Sequence, residues 1–172
     1  MARTVPPTHL EIGFFIPNLI GYARFGFLFA CPYFANSETH WHFYVICYSL
    51  SQMLDAADGK AARAFDQCSR FGAALDMVCD RASNALNFLT LAMLYPSCDY
   101  LFFLCFILDF GSHFLQFQMA AVLKMQSHKG MDEKVNWLVN LYYKNYAIFV
   151  ITVCGTEVGA VLLFLNAKMV WL

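Results

Sequence analysis

The chain has 172 residues, of which 60% are hydrophobic and only 13% are charged, and its mean hydropathy is +0.52. This composition excludes an ordinary soluble domain, in which about half of the residues are apolar and about a quarter are charged. The formal net charge is −1, and no basic stripe interleaved with aromatic residues is present, so we expect no nucleic acid partner. The sequence therefore predicts a membrane protein.

Five apolar stretches predict membrane-spanning helices, since a helix needs about 20 residues to cross the hydrocarbon core. They cover residues 17–35, 42–57, 73–95, 100–123 and 146–165. Residues 8–16 predict a short helix at the membrane interface. Pro17 suits the first turn of the first span, and Asn18 is interpreted as a helix cap. We predict an all-α, polytopic transmembrane helical bundle of about five spans, which forms a single domain over residues 1–172.

The distribution of basic residues predicts the orientation of these spans. Loops 36–41 and 96–99 contain no Lys or Arg, whereas the loops on the other side of the predicted spans contain most of the basic residues. Cytosolic loops carry an excess of Lys and Arg. We therefore expect the N-terminus and the segment between the second and third spans to face the cytosol.

Acidic residues are concentrated between residues 55 and 80 in an otherwise apolar chain. Asp55 and Asp58 are three apart, and Asp76 and Asp80 are four apart, so each pair shares one face of a helix. If the polar link between them reverses the chain, four carboxylates meet and need compensating cations. Carboxylate oxygens suit Mg²⁺ or Mn²⁺, and two such ions would clamp a displacement at phosphorus. Asp66 lies outside this pattern and is interpreted as a surface charge.

Small residues and one arginine occupy fixed positions between these acids. The pattern comprises Asp55, Asp58, Gly59, Ala62, Arg63, Gly72, Asp76 and Asp80. It resembles the signature of the CDP-alcohol phosphotransferase family, and a pattern with this many fixed positions and gaps is a specific signal. Within the family, the chain is most similar to the eukaryotic phosphatidylinositol synthases. This likeness extends over nearly the whole chain, through PNLIGYAR (17–24), SHK (127–129) and CGTE (154–157).

The resemblance implies a membrane enzyme, usually of six spans, that transfers the phosphatidyl group from CDP-diacylglycerol to myo-inositol and releases CMP. Carried over by motif position, the metal ligands are Asp55, Asp58, Asp76 and Asp80, and Asp80 is also the general base. The residues that would hold the CDP portion are Gly59, Ala62, Arg63 and Gly72. The resemblance also implies two Mg²⁺ or Mn²⁺ ions, a homodimer, and a site on the cytosolic face of the endoplasmic reticulum membrane.

Two alternatives to this function stay open. The sequence does not locate inositol contacts, so another alcohol acceptor within the same family is compatible with the motif. The chain also ends after five predicted spans, at NAKMVWL (166–172). A short, catalytically inactive form that binds CDP-lipid or a full-length partner is compatible with that ending.

Several polar residues lie in or beside the predicted spans but outside the motif. Arg24 is interpreted either as part of the headgroup site or as a member of a structural ion pair. Asp109 and His113 are four apart, and we expect them to satisfy each other within one helix. Glu157 lies within the fifth span and needs a partner. His128 and Lys129 are interpreted either as solvated loop residues or as residues on the substrate side.

Overall fold

The computed structural model describes the backbone of residues 7–122 and 146–170, and the side chains of residues 7–118 and 155–170. The described residues form six α-helices and no strand, which confirms the all-α prediction. The helices are α1 (His9–Gly13), α2 (Ile16–Ala35), α3 (His42–Ala64), α4 (Arg70–Leu94), α5 (Asp99–Val122) and α6 (Tyr146–Val170). The chain divides into two compact units, residues 1–86 and 87–172, and α4 begins in the first and ends in the second. The single domain over 1–172 stays a prediction.

The long helices coincide with the five predicted apolar stretches. The largest difference is in α3, which continues to Ala64 instead of ending near residue 57, because its alanine-rich end has high helix propensity. Among the described residues, one stretch is long and apolar enough to cross a membrane, Asp99–Gln118, with a mean hydropathy of 1.5. The number of spans therefore stays a prediction.

A short helix forms before α2, as the sequence predicts. Thr8 closes a capping box at the start of α1, since its hydroxyl accepts from the Glu11 N–H and the Glu11 carboxylate accepts from the Thr8 N–H. Leu10 and Phe14 are exposed on this segment. The position of α1 at a membrane interface stays a prediction.

The start of α2 differs from the sequence expectation. Pro17 lies in the first turn as predicted, but the N-cap residue is Phe15, which has no side-chain capping bond. Asn18 is therefore not the cap, and that interpretation is wrong. Gln67 supplies the missing acceptor, because its Oε1 accepts from the Ile16 N–H at 2.8 Å.

The connection from α3 to α4 is a tight reversal that ends one helix and caps the next. Asp66 is exposed and adopts a positive φ of 52°, and the Gln67 N–H bonds back to the Ala62 carbonyl, as in a Schellman motif. Ser69 then caps α4 by accepting from the Gly72 N–H. The predicted chain reversal is thus confirmed, and Asp66 is a surface residue as expected.

The interior of the first unit contains buried aromatic and small side chains. The rings of Tyr44 and Tyr48 in α3 are stacked, with their centroids 6.2 Å apart. Ser83 of α4 donates to the Tyr48 hydroxyl and accepts from Gln52, so hydrogen bonds link α3 to α4. These contacts fix the relative positions of the two helices that carry the predicted acids.

In the second unit, a hydrogen-bonded tyrosine connects the end of α4 to α6. The Tyr95 hydroxyl donates to the Leu163 carbonyl at 2.8 Å and accepts from Asn166. Phe164 and Ala167 are buried on the same helix. By contrast, no residue of α5 between 99 and 118 is buried, and many of its large apolar side chains are exposed.

Candidate functional site

Four carboxylates surround a single guanidinium group in the first unit. Asp55 and Asp58 come from α3, whereas Asp76 and Asp80 come from α4. Arg24 of α2 contacts Oδ1 of Asp55 at 2.6 Å and Oδ2 of Asp58 at 2.9 Å. It also contacts Oδ1 of Asp76 at 2.8 Å and Oδ1 of Asp80 at 2.7 Å. The structure therefore brings together the four acids singled out in the sequence, and Arg24 forms ion pairs with all of them.

The cluster has a buried side and an accessible side. The Arg24 side chain is only 1% exposed, whereas the side chains of Asp55, Asp76 and Asp80 are 41%, 49% and 39% exposed. Asp58 is more deeply buried, and burial raises the pKa of its carboxyl; the Asp76 charge adds to this shift and Arg24 opposes it. Three carboxylates are thus accessible from outside, while Arg24 offsets part of the negative charge from within.

The geometry and charge of the cluster fit a divalent metal ion. Asp55, Asp76 and Asp80 each offer a carboxylate oxygen, and these oxygens lie within 4.8 Å of one another. Hard oxygen ligands of this kind are preferred by Mg²⁺ and Mn²⁺. Arg24 balances only one of the four negative charges, so additional positive charge would stabilise the cluster.

A cavity of about 180 Å³ lies beside the acids, and two of them, Asp58 and Asp76, contribute to its wall. Three residues of the predicted CDP-binding set, Gly59, Ala62 and Gly72, also line it. Because these side chains are small or absent, a ligand in the cavity can approach the helix backbone.

Arg63, the fourth residue of that set, does not line the cavity. It is exposed near the end of α3, and its Nη1 lies 3.6 Å from the position that a Cβ on Gly59 would occupy. The structure therefore places Arg63 next to the cavity wall. Its contact with a phosphate stays a prediction.

Asn18 belongs to this cavity, which the sequence interpretation missed. It is 1% exposed and lines the cavity, and its amide donates to the Ile12 carbonyl. Its Oδ1 lies only 2.9 Å from the position of a Cβ built on Gly72. An asparagine one position inside a predicted apolar span was the available signal, because a buried amide has to satisfy its hydrogen bonds.

The predictions for the polar residues outside the motif differ in how far the structure tests them. Asp109 and His113 pair within α5 as predicted, with His113 Nδ1 3.7 Å from the Asp109 carboxylate and 2.8 Å from its carbonyl oxygen. Glu157 is half-buried in α6, and its role stays a prediction. His128 and Lys129 lie outside the described residues.

Comparison with known proteins identifies the family to which this site belongs. The family model described as CDP-alcohol phosphatidyltransferase matches residues 14–170. The chain belongs to this family. The predicted family resemblance is therefore confirmed. CDP-alcohol phosphatidyltransferases generally depend on divalent metal ions, in agreement with the carboxylate cluster.

Within the CDP-alcohol phosphatidyltransferase family, the chain is similar to curated proteins that share one name. The chain is 40% identical to CDP-diacylglycerol--inositol 3-phosphatidyltransferase of Rattus norvegicus, over 90% of this chain and 72% of the rat protein. It is 37% identical to CDP-diacylglycerol--inositol 3-phosphatidyltransferase 1 of Arabidopsis thaliana, over 94% of this chain and 70% of the plant protein. It is 39% identical to CDP-diacylglycerol--inositol 3-phosphatidyltransferase of Drosophila melanogaster, over 91% of this chain and 67% of the fly protein. No solved structure matches the chain.

Proposed function

We propose that the chain is a phosphatidylinositol synthase, which transfers the phosphatidyl group from CDP-diacylglycerol to myo-inositol and releases CMP. The observation that carries this proposal is the convergence of all four motif carboxylates beside a cavity lined by small residues. The choice of inositol as the acceptor is supported by relatives that are named for this reaction and are 37–40% identical over most of the chain.

Asp80 acts as the general base in this proposal. Its side chain is 39% exposed, and Arg24 Nη2 contacts its Oδ1 at 2.7 Å. A carboxylate has a second oxygen, which can accept a proton from an inositol hydroxyl. The inositol oxygen then forms a bond to the phosphorus that carries diacylglycerol, and the bond from that phosphorus to the CMP oxygen breaks. The electron pair of that bond leaves with CMP.

Two Mg²⁺ or Mn²⁺ ions are the proposed cofactors, with Asp55, Asp58, Asp76 and Asp80 as ligands. Bound divalent ions would stabilise the negative charge on the attacking and leaving oxygens. The carboxylate oxygens of Asp55, Asp76 and Asp80 already lie within 4.8 Å of one another, so little rearrangement of α3 and α4 is needed for these three acids to hold a cation.

The proposed donor site is the cavity next to the acids. Gly59, Ala62 and Gly72 would let the CDP portion of CDP-diacylglycerol lie close to the backbone, and Arg63 would contact a phosphate from the rim. The cavity volume of about 180 Å³ is below the range of about 300–1,000 Å³ that encloses a drug-sized ligand. It therefore suits one part of the donor, while the acyl chains extend elsewhere.

We also propose that the chain is integral to the endoplasmic reticulum membrane and functions as a homodimer, with the active site facing the cytosol. The outward-facing apolar residues of α5 support membrane integration. The concentration of Lys and Arg on one side of the predicted spans supports the orientation.

The decisive experiment is inositol incorporation into lipid by membranes that contain this chain and lack other such activity, supplied with CDP-diacylglycerol and Mn²⁺. We expect Asp80→Asn to reduce incorporation by about 10²- to 10⁴-fold, because it removes the proposed proton acceptor. Asp66→Asn is the matched control, since Asp66 is an exposed turn residue outside the cluster and asparagine tolerates its positive φ. The control should retain activity.

An acceptor panel tests the inositol assignment in the same membranes. Serine, glycerol phosphate and choline should give no product that depends on Asp80. Product from one of these instead of inositol would assign the chain to a different CDP-alcohol phosphotransferase. A folded chain that binds CDP-diacylglycerol without any turnover would identify it as the inactive form.

A further inference from the structure

The guanidinium group of Arg24 bridges α3 and α4 through both of its terminal nitrogens. Its Nη1 bonds to Asp58 of α3 and to Asp76 of α4. Its Nη2 contacts Asp55 of α3 and Asp80 of α4. Each terminal nitrogen therefore joins one acid of α3 to one acid of α4.

This bridging depends on the shape of an arginine side chain. The guanidinium is a rigid, planar fork, whereas the lysine ammonium is a single point charge. The Arg24 side chain points at the acids, because both of its terminal nitrogens bind carboxylates. Its Nε is buried and has no hydrogen-bond partner within the described part of the chain. A lysine at this position would keep the charge but could not hold both cross-helix pairs.

Arg24 and a metal ion can bind the same carboxylates from opposite sides. Arg24 is 1% exposed and lies on the buried side, and its contacts use one oxygen of each acid. The accessible side is formed by Asp55, Asp76 and Asp80, whose side chains are 39–49% exposed. A cation approaching from outside would meet carboxylates whose spacing Arg24 already fixes from the buried side.

We propose that Arg24 is a positioning residue that assembles the metal site by holding the two carboxylate pairs together across α3 and α4. This inference rests on the metal site of the proposed function. Arg24 forms ion pairs, which was one of its two interpretations from the sequence, and the inference gives these ion pairs a role in metal affinity. Residues that orient metal ligands typically change affinity by about 10- to 100-fold when they are altered.

The test is a titration of purified, lipid-embedded protein with Mn²⁺, followed by electron paramagnetic resonance of the free ion. We expect Arg24→Lys to weaken Mn²⁺ binding by about 10- to 100-fold. Arg70→Lys makes the same chemical change at an exposed position at the start of α4, and it should leave the affinity unchanged. Circular dichroism at the temperature of the titration establishes that each variant is folded.

The outcomes separate this inference from the proposed metal site. A folded Arg24→Lys variant that binds Mn²⁺ as tightly as the wild type would reduce Arg24 to a purely structural ion pair. Tighter binding by the variant would mean that Arg24 competes with the metal, and would also overturn the inference. Failure of the wild type itself to bind Mn²⁺ would remove the metal site, and the inference with it.

A second measurement uses only the wild type, in case Arg24→Lys does not fold. Phenylglyoxal modifies accessible arginines, and peptide mass spectrometry locates the modified positions. We expect Arg24 to stay protected both without and with Mn²⁺, while the exposed Arg70 reacts in both samples. Modification of Arg24 that appears only with Mn²⁺ would mean that the metal displaces the guanidinium, contrary to the inference.

Discussion

Gly72 has almost no space for a side chain. A Cβ at this position would lie 2.9 Å from Asn18 Oδ1 and 3.1 Å from Ser69 Oγ. Asn18 is buried and hydrogen-bonded to the Ile12 carbonyl, so it cannot move away freely. The close approach of α2 and α4 at the cavity therefore requires glycine.

We expect Gly72→Ala to destabilise the protein despite the helix propensity of alanine. Overpacking costs about 1–3 kcal/mol, and over most of this range the cost exceeds the gain of about 1 kcal/mol from replacing a helical glycine. The measurement is the free energy of unfolding by denaturant in detergent. Gly26→Ala is the matched control in α2, where a Cβ would meet no atom within 4 Å, and it should increase stability. A similar gain in both variants would contradict the packing argument.

At the scale of elements, Gln67 caps a helix that is distant in sequence. Its Oε1 accepts from the Ile16 N–H at 2.8 Å, and the N-cap residue Phe15 makes no side-chain capping bond. The α3–α4 turn thereby stabilises the start of α2. This contact ties α2, which carries Arg24, to the two helices that carry the four carboxylates.

We expect Gln67→Ala to lower the free energy of unfolding by about 1 kcal/mol, the usual effect of removing a helix cap. Gln67→Glu keeps an acceptor and places a negative charge at the positive end of α2, which is favourable. It should therefore retain most of the stability in the same unfolding assay. An equal loss in both variants would show that the size or packing of Gln67 matters more than its capping oxygen.

Local spacing predicted much of the site, because residues three or four apart share a helix face. This rule paired Asp55 with Asp58 and Asp76 with Asp80, and the apolar stretches located the long helices. The central position of Arg24 was not predictable in this way, since its hydrogen-bonded partners are 34, 52 and 56 residues away. Its charge within an apolar run indicated that a partner exists, but no local rule identifies which one.

Other contacts depend on three-dimensional packing that a linear pattern does not contain. Asn18 matches the sequence preference of a helix cap, but Phe15 occupies that position and Asn18 faces Gly72. The acceptor for Ile16 comes from Gln67, 51 residues later. Such errors arise where tertiary contacts replace local capping.

At the scale of the whole molecule, α5 separates this chain from an ordinary soluble protein. Its residues 99–118 are mostly apolar, and none of them is buried. The exposed side chains include Tyr100, Leu104 and Leu108. Such a surface is unfavourable in water and favourable in lipid.

We expect Leu108→Lys, near the centre of this stretch, to raise the apparent free energy of membrane insertion of residues 99–118 by about 3 kcal/mol. Tyr100→Lys places the same charge near the end of the stretch, where the side chain can reach the interface at lower cost. The measurement is insertion of the segment in a host protein with glycosylation sites on both flanks. Equal costs at the two positions would contradict a membrane-spanning α5.

The ion pairs between Arg24 and the four acids also constrain the order in which the helices can pack during synthesis. Ribosomal synthesis produces Arg24 first, then the two acids of α3, and only later the two acids of α4. Uncompensated charges among apolar helices are costly, and Arg24 can already pair with Asp55 and Asp58 once α3 is complete. The acids of α4 therefore join an ion pair that α2 and α3 can already form, and loss of Arg24 would lower the amount of protein that survives cellular quality control as well as its metal affinity.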